Sequence, residues 1–473
     1  MPQKYLASAL LALLANCANA AEVARVESTA IRAIPTSESA NSRETSQWTH
    51  EINSPSAEWL SVFVSNVALP PSASITFTAS GGAEETITAH DLRGSTSFQL
   101  WPMLGSRMTI TLNVTKAERH SVRLEITEIS HGLSGTAPTL AISKSSSDGD
   151  TRAVDVPINA ACEISQDDNL AKLSRSTAVL FIGGSVSCTG TLIDHTSSAT
   201  EPWLLTASHC ADRSTGERPE TMGSRVVARF NAIAPCGSDE FLDMGTGGRS
   251  ISSVRTVYSD AGLDGTGNHA NDVWIVAMAD YPDQSDNAYL MPVDFATEAQ
   301  PGDRFRTIHH AGGRKQQYAE REVRGIEIRS IGIVGGPVPA RESDVYATTF
   351  VTGASSSGAS GAAAMNIQGF VVGSLSSGSS GPGHPGTVNY NLLFNAGEQM
   401  LSQGILTQPS FSGRDAPLPR PTPPPATPHP TAPPGGVESS SGGGGAVSLT
   451  VVILLIVSSL ARAERRFSKR RHS

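Results

Sequence analysis

Trp203-Leu204-Leu205-Thr206-Ala207-Ser208-His209-Cys210 is an apolar stretch that ends abruptly in a histidine and a cysteine. Its first half is aromatic, aliphatic and β-branched, which suits a pleated, buried strand, so His209 falls where strand gives way to loop. A histidine at such a point titrates near neutrality, the range in which an imidazole can both take and return a proton. By itself this describes any structural histidine at a strand end. Two further stretches add to it. His269-Ala270-Asn271-Asp272-Val273-Trp274-Ile275-Val276 places one carboxylate, Asp272, at the head of an apolar strand, which draws it inward to accept from an imidazole N–H. Gly358-Ala359-Ser360-Gly361-Ala362-Ala363, ahead of Phe370-Val371-Val372-Gly373, sets a serine between glycines. Those glycines let the backbone turn sharply, leave the hydroxyl unobstructed and allow the amides of Gly358 and Ser360 to aim at one point.

The three stretches occur in the order His, Asp, Ser, roughly sixty to ninety residues apart, each at a strand–loop junction. That order resembles the chymotrypsin-type serine endopeptidases. Thr206–Cys210 is similar to the family's TA-(A/S)-HC signature, Asn271-Asp272-Val273 to its ND-(I/V), and Gly358–Gly361 to its G-x-SG. Within the family the likeness is to secreted bacterial lysyl-endopeptidase-type proteases, through Cys188-Thr189-Gly190-Thr191-Leu192, the cysteine order and Ile308-His309-His310. The resemblance implies an all-β chain with a double β-barrel over residues 151–405. It implies Ser360 as nucleophile, His209 as general base and Asp272 as the group that orients the imidazole, with an oxyanion hole from Gly358 and Ser360. Polypeptides would be the substrates, with no metal and no organic cofactor. The alternative is a catalytically silent relative that serves as a surface-binding or adhesion module.

Two positions depart from the family's pattern. Ala359 stands where animal trypsin-like enzymes keep an aspartate that pairs with a new N-terminus, which excludes activation through that ion pair. Ala354 stands where an acid would select Lys or Arg, and no Asp or Glu occurs from Ala354 to Asn395, the stretch that should build the primary pocket. A cation buried there would lack a partner. The expected walls are Ala354, Ser355, Ser376, Ser377 and Gly378, which favour a small or apolar P1 residue over lysine or arginine. His309 and His310 are expected either to line the cleft or to be ordinary loop histidines.

Five cysteines occur. With Cys17 in the leader, Cys162, Cys188, Cys210 and Cys236 form an even set in an exported protein, which suggests two disulfides in one of three pairings. Cys188–Cys210 with Cys162–Cys236 is favoured, because the first bridge would lock the loop that carries His209. No C-x-x-C is present, which argues against zinc.

Upstream, residues 21–150 form a β-rich pro or accessory domain. Short period-two runs (Leu60, Val62, Val64; Met108, Ile110, Leu112; Val122, Leu124, Ile126) separated by Pro70-Pro71, Gly81-Gly82 and Gly105-Ser106 predict a small β-sandwich. Its end, Arg123–Ile126 to Ser130-His131-Gly132, is similar to the end of the β-rich propeptide that lysyl-endopeptidase-type proteases carry. Ser145–Asp150 reads as an exposed connector. Residues 1–20 have the charged start, apolar middle and Ala18-Asn19-Ala20 end of a secretory signal.

Residues 406–445 form a Pro/Gly-rich linker, and 446–473 a transmembrane helix with a basic tail. Gly442–Gly445, the apolar run and Arg465-Arg466 resemble GlyGly-type sorting signals cut by rhomboid-like intramembrane proteases. Expected partners are therefore the export machinery and a sorting protease, with membrane attachment before processing and a final location at the cell surface or outside the cell. The chain's net charge of −9 conceals this basic tail. Without its six basic residues and Glu464, the rest holds 29 basic and 43 acidic residues, a net −14, which argues against nucleic acid as a partner.

Overall fold

The computed structural model describes residues 21–22, 24–33, 45–132, 158–195, 201–211, 218–238, 240–242, 250–260, 271–282, 287–331, 341–378 and 387–415. The signal at 1–20, the connector Ser145–Asp150 and the tail at 446–473 lie outside these residues, as does the linker beyond Asp415. No helix among the described residues is long and apolar enough to cross a membrane.

Two closed sheets make the larger part of the fold. In the first, Thr177–Ile182, Val186–Ile193, Trp203–Ala207, Val226–Phe230, Ile251–Asp260 and Val273–Met278 form a six-stranded barrel, closed by pairing of Val186–Ile193 with Trp203–Ala207. The second uses Arg304–His309, Gln317–Ile331, Arg341–Thr352, Ala363–Met365, Val371–Gly378 and Val388–Asn391, closed through Ala363–Met365. Closure leaves these strands no free edges, which suits a chain with few charged residues to protect them. Between the barrels lies a shared core with Leu205 and Ile275 from one side and Ile308, Met365 and Val371 from the other. The helix Asp168–Ser176 adds Leu170 and Leu173 to it, its first turn held by Asp167, which accepts from the amides of Asn169 and Leu170.

The N-terminal residues form two facing sheets, one built around Ala24–Arg32, Trp59–Ala68 and Arg123–Gly132, the other around Thr45–Asn53, Ser74–Ala79, Glu84–Thr88 and Arg107–Thr115. The alternation does what period two dictates. Leu60, Val62 and Val64 point inward, and so do Met108, Ile110 and Leu112. Trp59 stays out of that core and joins Trp101 in a second cluster with Val179, Phe181 and Val227 of the first barrel. Thr177–Ile182 is therefore buried on both faces: Ala178, Leu180 and Ile182 fill the barrel, while Val179 and Phe181 meet the sandwich. Phe181 sits edge-on to Trp59 at 5.4 Å, and burial of such a ring contributes about 2–3 kcal/mol. An ion pair of Arg93 with Asp280 (2.7 Å) and another of Arg225 with Glu128 flank the contact.

Ordered structure runs past the expected boundary at 405. Ser410–Phe411 pairs with Val293–Asp294, Arg414–Asp415 with Tyr289–Leu290, and Phe411 is buried in the shared core. Strands this short carry too little alternation to be recognised in a Ser/Pro-rich context.

Candidate active site

His209 leaves its strand in one 3-10 turn, Ser208–Cys210. The register of Trp203–Ala207 against Val273–Met278 pairs Ala207 with Val273, so the next residue on one strand meets the previous one on the other: Ser208 beside Asp272. The Ser208 amide donates to the Asp272 carbonyl at 3.1 Å. Asp272 Oδ2 then lies 2.8 Å from His209 Nδ1, and Asp272 Oδ1 accepts from the His209 amide at 2.8 Å and the Ser208 hydroxyl at 3.1 Å. The ring nitrogen facing a carboxylate must carry the proton, which leaves Nε2 as the acceptor.

Asp272 is fully enclosed. Burial pushes its carboxyl up, but the His209 charge, the ring hydrogen bond, the Ser376 hydroxyl (2.5 Å) and the His209 amide together hold it below the ordinary carboxylate value. Its backbone is left-handed, with φ of 52°, a conformation that Asp tolerates better than most residues. Two asparagines fix it. Asn271 donates to the Leu392 carbonyl at 2.6 Å and accepts from the Leu392 amide at 3.0 Å, and Asn391 donates to the Asp272 carbonyl at 3.2 Å. Sequence reasoning missed Asn271 and Asn391 as parts of the site. Asn271 is visible there only as the neighbour of Asp272, and Asn391 gives no signal beyond an amide in an apolar strand.

Ser360 comes from the second barrel. Gly361 next to it has φ of 85°, and a Cβ there would fall 2.1 Å from Thr206 Oγ1 and 3.0 Å from the Ala207 amide nitrogen. Only glycine lets the serine loop come this close to the strand that carries His209. The Ser360 carbonyl accepts from the Thr189 amide at 2.8 Å, and the Thr189 hydroxyl donates to the Gly358 carbonyl at 2.8 Å. The amides of Ala359 and Ala362 bond to the Ser356 and Ala359 carbonyls within the loop, and the Gly361 amide bonds to the Leu375 carbonyl at 2.8 Å. His209 Nε2 and Ser360 Oγ are both buried, with residue exposures of 7% and 0%, and neither has a hydrogen-bond partner among the described residues. The structure thus joins the acid to the imidazole and leaves the link from imidazole to hydroxyl open.

The residues expected to wall the primary pocket divide. Ser376 turns its hydroxyl onto Asp272, so it supports the carboxylate. Ser377 accepts from Asn389 at 3.0 Å, and Gly378 has φ of 111°, with the Thr387 carbonyl 2.2 Å from where a Cβ would stand. Ser355 is buried and contacts both His309 and Arg321, a partner that sequence reading did not single out. His309 and His310 are interior residues, held neutral by burial, which brings them down to about 3 and about 4.

Cys188–Cys210 and Cys162–Cys236 are the disulfides formed, with Cα separations of 6.5 Å and 4.8 Å. The first ties the His209 turn to the strand Val186–Ile193 and closes a loop worth about 3 kcal/mol in the chain-entropy model. No group of His, Cys, Asp or Glu suited to a metal occurs among the described residues.

Two closed six-stranded barrels packed on a shared core are the architecture of the double-barrel, trypsin-like serine proteases, and the chain is of that class. It belongs to the lysyl endopeptidase C-terminal domain family, whose model matches residues 151–392. Among solved structures it is similar to Rv3671c of M. tuberculosis H37Rv. A Ser-to-Ala mutant in the inactive form aligns at 18% identity over 54% of this chain and 98% of that one, with a TM-score of 0.32. The Rv3671c protease in its active form aligns at 16% identity over 56% and 95%, also with a TM-score of 0.32. No curated protein matches.

Proposed function

We propose that the chain is a serine endopeptidase working through His209, Asp272 and Ser360. The observation that carries this reading is the 2.8 Å contact between Asp272 and His209 Nδ1, which leaves Nε2 as the acceptor of the ring. In the reaction, Nε2 takes the Ser360 proton as Oγ attacks the scissile carbonyl. The carbonyl oxygen becomes an oxyanion, stabilised by the amides of Gly358 and Ser360, each such donor being worth about 3–4 kcal/mol. The imidazolium, stabilised by Asp272, gives its proton to the leaving amine as the C–N bond breaks, leaving an acyl ester on Ser360. Water, deprotonated by the same nitrogen, attacks the ester and restores the hydroxyl. With Ala354 and no acid as far as Asn395, the pocket favours a small or apolar P1 residue over lysine and arginine.

Export is part of the proposal: residues 1–20 act as a secretory signal, and the tail passes through the membrane before a sorting protease cuts it. Two disulfides support an oxidising destination. Mass spectrometry of both termini of the cell-surface form tests this; retention of residues 1–20 or of the intact tail contradicts it. For the activity, digestion of a mixed peptide library with the wild-type chain and with Ser360→Ala is the test. Cleavage lost in the variant supports the reading, and equal cleavage by both sinks it.

A further inference from the structure

Thr189 lies where the strand Val186–Ile193 of the first barrel meets the serine loop of the second. It is fully buried and follows Cys188, whose disulfide ties this strand to the His209 turn. Its amide donates to the Ser360 carbonyl at 2.8 Å. Its own carbonyl accepts from the Thr206 hydroxyl at 2.9 Å, on the strand that leads to His209. Its hydroxyl accepts from the His310 amide at 3.0 Å and donates to the Gly358 carbonyl at 2.8 Å. A hydroxyl has one proton to give, so the incoming His310 amide leaves that proton aimed at Gly358.

These bonds complete a set along the loop. The Ser357 carbonyl accepts from the Gly312 amide at 2.7 Å, and the Gly358 carbonyl from the Thr189 hydroxyl. The Ala359 carbonyl accepts from the Ala362 amide at 3.1 Å, and the Ser360 carbonyl from the Thr189 amide. Four successive peptide planes are pinned by their oxygens, two of them by one residue. All four are trans, and in a planar trans peptide the N–H points opposite to the C=O. Fixing the Ser357 and Ala359 oxygens therefore sets the directions of the Gly358 and Ser360 amides, and the two bonds to Thr189 stop the neighbouring planes from turning. Without such ties the turn is soft, because Gly358 and Gly361 stand at φ of 92° and 85°, where glycine moves freely. Ala359, packed in an apolar cluster with Ala362 and Leu375, has no charge with which to anchor it.

We propose that Thr189 is a positioning residue for the reaction: by holding the Gly358 and Ser360 carbonyls it keeps the two amides aimed at the oxygen of the scissile carbonyl. This rests on the serine-protease reading and goes beyond it, since Thr189 acts only through the loop. It takes over the anchoring that an aspartate in place of Ala359 would supply, and it needs no new N-terminus to do so. Removing its hydroxyl leaves the Gly358 carbonyl and the His310 amide without that partner in the protein interior, and the Gly358–Ala359 plane turns to find another.

The test uses the full chain and compares wild type with Thr189→Val, which keeps the β-branched shape without the hydroxyl, and Thr189→Ser, which keeps the hydroxyl. Labelling of wild-type Ser360 by a fluorophosphonate checks the protease reading first. On a cleaved peptide, Thr189→Val is expected to lower kcat by about 10–100-fold with KM within about twofold, somewhat less than outright loss of an oxyanion donor. Thr189→Ser should recover most of that loss. A peptide aldehyde forms an adduct with Ser360 that carries the oxygen the two amides hold, so its affinity should fall by the same factor as kcat/KM. The matching peptide alcohol forms no adduct and should bind both proteins alike. Should Thr189→Val fail to fold, Thr189→Ala, which removes the same hydroxyl from a smaller side chain, should show the same pattern. Where wild type labels, a folded hydroxyl-less variant with unchanged kcat, with a change confined to KM or Tm, or with undiminished aldehyde affinity overturns the positioning role and leaves the protease reading standing. A folded wild type that takes no label overturns both.

Discussion

The two barrels share a strand plan and differ in what fills them. The first is packed by Leu180, Ile182, Leu204, Val226 and Val276 around a disulfide. The second encloses Phe305, Tyr346 and Tyr390 together with Arg321 and His309, and turns Asn391 toward Asp272. One interior serves as a rigid mount for His209 and Asp272. The other supplies Ser376 and Asn391, which fix Asp272 from behind. Polarity in a barrel core is expensive unless each group is satisfied.

Substitutions should break that contrast in order of size. Ser360→Ala or His209→Ala is expected to lower kcat by about 10⁴–10⁶-fold, measured on any cleaved peptide. Asp272→Asn should lower kcat by about 10⁴-fold, because an amide can present its N–H to Nδ1 and hold the wrong tautomer. In the first barrel, Leu180→Ala is expected to cost about 2–5 kcal/mol in denaturant unfolding, with activity per folded molecule unchanged. In the second, Asn391→Ala should cost about 1–3 kcal/mol and lower kcat as well, since it frees the Asp272 backbone. If both variants alter only stability, the division of labour between the barrels is wrong.

Acid should expose the same difference. His309 and His310 are ordinary histidines of about 6.5 in the unfolded chain and are held near 3 and 4 in the fold by burial, Arg321 adding to the effect at His309. Between those values the unfolded chain binds more protons, so stability is full above about pH 6.5 and falls as pH drops toward the folded values. Each histidine contributes about 1.4 kcal/mol per pH unit in that window. His309→Gln should flatten the slope of unfolding free energy against pH by one proton, and an unchanged slope would show the ring already charged in the fold.

Much of this was legible in the sequence because the informative residues sit in short contiguous motifs. His209, Asp272 and Ser360 each follow or lead an apolar strand, and the sandwich announces itself through alternating runs such as Leu60, Val62 and Val64 or Met108, Ile110 and Leu112. Arg321 was not legible. It lies in Glu320-Arg321-Glu322, where a charge run reads as a solvated face, and only the pairing with Phe350 turns it inward. Asn391 and the strands at Ser410–Phe411 and Arg414–Asp415 were missed for the same reason: their partners are distant in sequence, and local pattern carries no trace of them.

The most direct measurement is intact-mass and peptide mapping of the folded chain after exposure to a fluorophosphonate. One phosphonyl group per molecule is expected, on Ser360, formed at a rate that collapses in His209→Ala. A folded chain that takes up no label, or takes it up elsewhere, would contradict the claim that these three residues form one reactive centre.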